Sequence, residues 1–368
     1  MGVLSTFGTI FPPPAYMTLA SIGVDFSDTS LKYIYLTRSS RYQSGTELSA
    51  WGDITLSAGA IVDEEVKDIG RLASVLQEVK KRCGTSYVRI SLPEEHAYIF
   101  ETELKRGMPG REIRGLLEFK LAENVPISPR EAYFDYNIVA DQSDGETVHA
   151  VVTVYAKEKI ERYYEACSVA GVVPVSFEVE SQAIARAATR RGETGSTMIV
   201  DFGKNHTGIG VVYRDALMHT STSAIGGEVL SRAMRDVLGE CKEEELTTLK
   251  NVHGLRATHP NKKVRDAILK VIDKITDELG THIEYWNTRE HGKKQRAIAR
   301  IILCGGSANL AGLPEHLSRT LSVPAKRAEV WHNVFSTDSF VPPIDRRHSY
   351  GYATAIGLSL PNVIDTYL

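Results

Sequence analysis

Two aspartates, Asp25 and Asp201, each close an apolar run and precede a short turn of small or polar residues. The first run, Ile22-Gly23-Val24-Asp25-Phe26, is followed by Ser27-Asp28-Thr29-Ser30 and then by Leu31 to Leu36. The second, Met198-Ile199-Val200-Asp201-Phe202, is followed by Gly203-Lys204-Asn205-His206-Thr207 and then by Gly208 to Val212. Each reads as a β-hairpin, because Gly, Ser, Asp and Asn supply the flexibility or self-bonding that a tight turn needs. Two such hairpins present rows of backbone N–H groups and two carboxylates. A nucleoside triphosphate with Mg²⁺ requires that set: donors for phosphate oxygens and oxygen ligands or water-holders for the metal. One hairpin of this type is ordinarily just a hairpin. Its repetition near the start of each half predicts two similar domains facing each other across a cleft.

The elements that must position these residues fit a chain of 368 residues, which is long enough for two cores. Hydrophobic content of 42% and charged content of 24% are ordinary for a globular protein. A net charge of −3 argues against a general nucleic-acid binder. Cys83, Cys167, Cys241 and Cys304 form no Cys-x-x-Cys pair, so a reducing compartment is expected, with neither a zinc site nor a disulfide framework. No apolar run approaches the roughly 20 residues of a membrane span. Residues 1–19, with Pro12-Pro13-Pro14, read as a flexible leader and lack the pattern of a signal peptide. The basic stretch Arg289 to Arg300 reads as a solvated helix end, with an acidic-partner site as the alternative.

The first domain spans 20–92. Its strands lie around 20–27, 31–38 and 48–57, a helix runs from Asp63 to Cys83, and a strand from Tyr87 to Leu92. Residues 93–175 read as an inserted α+β module of order β-α-β-β-α, with Asp141 to Gly145 as a turn and Lys157 to Gly171 as its last helix. The first domain resumes over 176–196. The second occupies 197–335 with a helical insert at 241–297, whose stripe of Val264, Ile268, Val271, Ile275, Leu279 and Ile283 is packing surface. Residues 336–368 return to the first domain, with a small-residue helix over Tyr350 to Leu360.

Together these motifs resemble the actin-like ATPase superfamily, and within it the PilM family of type IV pilus assembly, over about residues 20 to 360. The resemblance rests first on Gly23, Asp25, Ser27, Ser30 and Lys32, close to the family's G-x-D-x-G-x-x-S-x-K, with Ser27 in place of the second Gly. Asp201, Gly203 and Thr207 match its D-x-G-x-x-x-T. Gly305-Gly306-Ser307-Ala308-Asn309, after a buried strand, matches the adenosine-side turn, and Gly226-Gly227 the turn beside the ribose. Lys250 matches the Lys of A-E-x-x-K, while Thr247 stands where Glu is expected and Glu245 is nearby. Glu180-Ser181 resembles the opening of the helix whose polar residue orients the attacking water.

The resemblance implies a two-domain actin-like (ribonuclease H-like) α/β fold that binds ATP and Mg²⁺. Asp25 and Asp201 would hold the metal. Ser27, Asp28, Thr29, Ser30, Lys32, Gly203, Asn205, His206 and Thr207 would take the phosphates. Gly226, Gly227, Lys250, Gly305, Gly306, Ser307 and Asn309 would take the nucleoside. Lys32 would act as a point charge on the β- and γ-phosphates. His206 reads either as a phosphate donor or as an exposed loop histidine. Glu180 reads either as a general base or water-holder or as an acid favoured by the helix dipole. Ala353 to Leu358 resembles the inter-domain helix that crosses the Ser181 helix as a hinge.

Four functional readings follow. The first is a cytoplasmic ATP-binding scaffold, at most a slow ATPase. Its partner would be the N-terminal cytoplasmic tail of a PilN-like bitopic membrane protein, bound in a groove bordered by 93–175. It would sit at the inner membrane through that partner, without inserting directly, and could self-associate. The second, a sugar or acetate kinase, lacks a polar acceptor cluster between 93 and 175. The third, a division protein resembling the FtsA family, lacks a basic amphipathic helix after Pro361. The fourth is a scaffold that keeps the fold and binds no nucleotide.

Overall fold

The computed structural model describes residues 19–38, 46–139, 146–190, 193, 195–289, 296–335 and 340–360. The leader up to residue 18, the turn 141–145 and residues 361–368 lie outside the described residues.

The chain opens with β1 (Ile22–Phe26), β2 (Ser30–Arg38) and β3 (Thr46–Thr55), paired antiparallel in sequence order. A two-stranded ribbon of β4 (Ile61–Val62) and β5 (Glu65–Val66) follows. Then come helix α1 (Ile69–Cys83) and β6 (Tyr87–Leu92). The helix expected from Asp63 starts only at Ile69. Asp63 and Glu64 take left-handed conformations, with φ of 50° and 60°, and turn the ribbon instead. Asp68 then caps the helix by accepting the Arg71 N–H at 3.0 Å.

Strand β7 (Tyr98–Lys105), helix α2 (Gly110–Asn124), β8 (Ala132–Val139) and β9 (Thr147–Ala156) form the inserted unit, a three-stranded sheet of order β7-β9-β8. Its own core gathers Phe100, Leu104, Ile113, Leu117, Leu121 and Val152. Helix α3 (Lys157–Ala170) then leads into β10 (Val173–Val179) and α4 (Glu180–Ala188). The insert is shorter than the expected 93–175. Tyr163, Ala166, Cys167 and Ala170 of α3 lie in the first domain's core beside Leu72, Leu76 and Val79 of α1. Amphipathic spacing marks α3 as a helix but cannot say which sheet its apolar face meets.

The second half contains β11 (Ser196–Phe202), β12 (Thr207–Tyr213) and β13 (Ala216–Ser223). Helices α5 (Gly227–Leu238) and α6 (Glu243–Thr248), a π-helical turn over Leu249–His253, and the long α7 (Lys262–Arg289) follow. Then come β14 (Ile298–Cys304), α8 (Leu313–Leu321), β15 (Ala325–Arg327), α9 (Arg346–Ser349) and α10 (Ala353–Ser359). The apolar stripe of α7 is core, as expected.

The two main sheets repeat one topology. The first has the order β10-β6-β1-β2-β3 and the second β13-β12-β11-β14-β15. In each, a three-strand antiparallel meander joins two further strands in parallel at its first strand. Asp25 of β1 and Asp201 of β11 therefore hold equivalent places next to the last residue of each first strand.

Helices α4 and α10 cross between the domains. A Cβ on Gly357 would overlap the Ala183 carbonyl, so only glycine permits this approach. Arg186 of α4 fastens the crossing by donating to the Gly357 carbonyl at 2.9 Å. The basic stretch after α7 is not a solvated end where it is described. Arg289 and Arg296 pair with Glu101 of β7 at 3.2 and 3.0 Å, and Arg300 pairs with Glu193 at 2.7 Å. The insert's carboxylate thus docks on the second domain.

Candidate functional site

The cleft between the two sheets is lined by the turns after β1 and β11. In the first turn Ser27 donates its N–H to the Ser30 carbonyl at 2.9 Å. Its hydroxyl also bonds Ser30, donating to the carbonyl and accepting the N–H, both at 3.1 Å. The side chain that replaces the family's glycine is thus spent within its own turn. Lys32 reaches back along β2 and donates to Ser30 Oγ at 3.1 Å, with Asp53 3.7 Å away. Thr29 accepts from the Leu56 N–H and holds the turn against the end of β3.

The second turn is tied to both glycine pairs. The Gly203 carbonyl accepts the Gly227 N–H at 3.0 Å and the Ser307 hydroxyl at 3.0 Å, and the Lys204 carbonyl accepts the Glu228 N–H at 2.8 Å. Thr207 donates to the Ile225 carbonyl. Gly305 has φ of 80°, and a Cβ there would overlap Asp201 Oδ1, so the Gly305-Gly306 turn lies directly on the carboxylate. Asn309 donates to the Gly306 and Arg347 carbonyls. Lys250, in the π-helical turn, donates to Ser231 at 2.8 Å and pairs with Glu243 at 3.4 Å. The acid that meets Lys250 is thus Glu243, rather than the expected position 247 or its neighbour Glu245.

Electrostatics single out the cleft. Burial pushes the Asp25 carboxyl up to about 7; Lys32 and the Ser91 hydroxyl, 3.0 Å away, work against this, while Asp201 adds repulsion. Burial also raises Asp201 to about 6, opposed by His206 and Lys32. Glu180, the first residue of α4, is driven well above the usual carboxylate range by burial and then by Asp25, Glu64, Glu94 and Asp201. Its carboxyl therefore sits within the charge cluster and not merely at a helix start. His206 is not an exposed loop residue: it pairs with Glu64, whose hydrogen bond raises its pKa.

Two members of the cluster carried no sequence motif. Glu94 follows β6 in a short 3₁₀ turn, is 3% exposed, and accepts the Ser181 N–H at 2.9 Å as well as the Ser181 hydroxyl. Burial raises its carboxyl to about 8, and its Oε2 has no hydrogen-bond partner. Glu64, on the ribbon turn, likewise has an unpartnered buried Oε2. The only available sequence signal was position: Glu94 lies just past a strand that pairs beside the Asp25 strand.

The donor set fits phosphate with a divalent cation. Buried carboxylates face one another with Lys32 and His206 as their opposing charges. A cation between them relieves that repulsion. Among the described residues no group of three or more His, Cys, Asp or Glu is placed to hold an ion alone. Asp25 and Asp201 therefore fit an ion that takes most of its ligands from phosphate and water.

A second concavity, of about 220 Å³, opens between the ribbon and α3, beside the start of the insert. Val66, Lys67, Pro93, Tyr155, Lys159 and Arg162 are among its lining residues. His96 Nε2, also in its wall, has no hydrogen-bond partner.

The family model described as type IV pilus assembly protein PilM matches residues 23–363. Among curated proteins no sequence matches. A solved PilM-PilN type IV pilus biogenesis complex is similar, with a TM-score of 0.72 at 20% identity, covering 93% of this chain and 98% of that one. The ethanolamine utilization protein EutJ from Carboxydothermus hydrogenoformans gives 0.51 at 16% identity, covering 96% and 91%. MreB5 of Spiroplasma citri, bound to ADP, gives 0.53 at 13% identity, covering 93% and 95%. At these identities the solved structures speak to the fold, which is the two-domain actin-like one.

Proposed function

The chain belongs to the PilM family of type IV pilus assembly proteins, and from that premise we propose that it is a nucleotide-binding scaffold for pilus assembly. The observation that carries the nucleotide reading is the pair Asp25 and Asp201, on equivalent strands of two like sheets and both raised by burial in one cleft. ATP is the nucleotide and Mg²⁺ the ion, which when bound would neutralise phosphate charge. Asp25 and Asp201 would hold it, directly or through its waters. Ser27 to Ser30, Lys32 and Gly203 to Thr207 cradle the phosphates, with Lys32 nearest the terminal groups. Gly226, Gly227 and Gly305 to Asn309 border the nucleoside, and Lys250 with Glu243 closes that side. Glu180 would orient a water at the terminal phosphate, and the protein would be at most a slow ATPase. A nucleotide-bound MreB5 shares the fold.

The partner is the cytoplasmic tail of a PilN-type membrane protein, since the similar solved structure is a PilM–PilN complex. The concavity between the ribbon and α3 is its groove: it offers apolar wall, basic side chains and the unpartnered His96 Nε2. Among the described residues no helix is long and apolar enough to cross a membrane, and the tail brings the protein to the inner membrane's cytoplasmic face.

Thermal melts with and without Mg·ATP test the first half. A ligand at about 1,000 times its Kd adds about 4 kcal/mol to the native state. Asp201→Ala should abolish most of that rise, and wild-type protein that shows no rise at millimolar Mg·ATP would refute nucleotide binding. A labelled tail peptide tests the second: Arg162→Glu, in the groove, should weaken its binding, and unchanged binding would remove the tail from this groove. Excising 93–175 is unsuitable, because α3 is part of the first domain's core.

A further inference from the structure

The ribbon Ile61–Val66 touches both candidate sites. At its tip, the Glu64 N–H donates to Asp28 Oδ1 at 3.1 Å, in the first phosphate turn. Asp28 Oδ2 in turn accepts from Asn205 Nδ2 at 3.3 Å, across the cleft. The Glu64 carboxylate pairs with His206, also across the cleft. One ribbon residue thus meets both phosphate turns, and through them both domains.

The ribbon's other edge is the wall of the groove. The Glu64 carbonyl accepts the Tyr163 hydroxyl at 3.3 Å, and the Val66 carbonyl accepts Arg162 Nε at 2.6 Å. The Lys67 carbonyl accepts Arg162 Nη2 at 3.3 Å, and Glu65 pairs with Lys159. These partners all lie on α3. The ribbon is two residues per strand, so its tip and its wall cannot shift independently. Its turn places Asp63 and Glu64, neither a glycine, at positive φ, a conformation kept only where surrounding contacts hold it.

Resting on the reading that the cleft takes nucleotide and the groove takes the tail, we propose that this ribbon couples the two sites, with the Glu64–His206 contact as its latch. Closing the cleft brings the His206 turn to Glu64. A tail seated against Val66 and Lys67 holds the ribbon on α3 and presents Glu64 to His206. Both ligands thus favour one arrangement, so each strengthens the other to the same degree.

The experiment is a fluorescence-anisotropy titration of a labelled peptide, the N-terminal cytoplasmic residues of the same organism's PilN-type protein. It is run on the full chain with and without saturating Mg·ATP; melts confirm that each variant is folded and report nucleotide binding. Wild type should bind the tail about five-fold or more tightly with Mg·ATP, the lower end of ordinary coupling. Glu64→Ala should bring that ratio below about two-fold. His206→Gln, titrated at Mg·ATP that saturates this variant in the melts, should do the same, although His206 lies on the second domain and does not line the groove. The double variant should lose no more than either single one, as members of one contact do. A ratio preserved in either single variant, or losses that add in the double variant, would overturn the latch. Wild-type tail binding indifferent to nucleotide would overturn the coupling while leaving the partner reading intact. An absence of wild-type tail binding, or of nucleotide binding in the melts, would overturn the underlying reading and the coupling with it.

Discussion

Asp25→Asn should make the nucleotide-free protein more stable while removing its affinity for Mg·ATP. Burial raises the Asp25 carboxyl from 3.8 to about 7. Such a displacement disfavours the ionised form by about 4 kcal/mol. Asp25 opens partly into the cleft, whose water screens the charge, so about 2–3 kcal/mol is expected in practice. A raised carboxyl opposes folding where the unfolded chain has ionised and the native one resists. The penalty is therefore absent below about pH 4, grows between about 4 and 7, and is complete above. Asparagine keeps an acceptor for the Ser91 hydroxyl and carries no charge. For a chain of 368 residues, whose unfolding entropy is about 0.8 kcal/mol per kelvin, the variant should melt about 3 °C higher at pH 8. The two proteins should converge near pH 4. Differential scanning calorimetry over a pH series, without nucleotide, reads this directly. A variant less stable than wild type at pH 8, or a difference independent of pH, would refute the argument. Adding Mg·ATP at pH 8 should then raise the wild-type melting temperature and leave the variant nearly unmoved.

Lys32→Ala should weaken ATP more than ADP in calorimetric titrations, since the proposed site puts Lys32 nearest the terminal phosphates; equal losses would contradict that placement. Glu180→Gln should lower any phosphate release while leaving ATP affinity within a few-fold, and unchanged turnover would reduce Glu180 to a helix-start residue. Gly357→Leu should destabilise the fold by about 1–3 kcal/mol or more, because its side chain would displace the Ala183 carbonyl at the α4–α10 crossing; an unaltered denaturation midpoint would show that the crossing can relax.

The architecture was largely legible in the sequence because both Asp hairpins are local. An apolar strand, a turn and a second strand are written within about 15 residues, and their repetition implied the two matching sheets. The glycine pairs were legible for the same reason, standing next to a buried strand or a helix start. Relationships between distant segments were not legible. Glu94 and Glu64 join the cluster only because strand ends and the ribbon tip converge in space. In the sequence the ribbon looks like the start of α1, since Asp63 to Val66 shows no period that distinguishes two residues of strand from a first helical turn. Spacing marks α3 as a helix from Lys157 but not the sheet that its apolar face meets, which is the first domain's and not the insert's. Glu243 meets Lys250 two helical turns on, a reach of long side chains that the four-residue motif spacing does not describe.

The central claim is that one chain holds nucleotide between its Asp hairpins and a membrane protein's tail beside the ribbon. Crystallising the full chain with a non-hydrolysable ATP analogue, Mg²⁺ and the tail peptide tests it most directly. The account expects the triphosphate between the turns after Asp25 and Asp201, and the tail along Val66, Lys67 and Arg162. Nucleotide bound elsewhere, or a tail seated on another face, would contradict it.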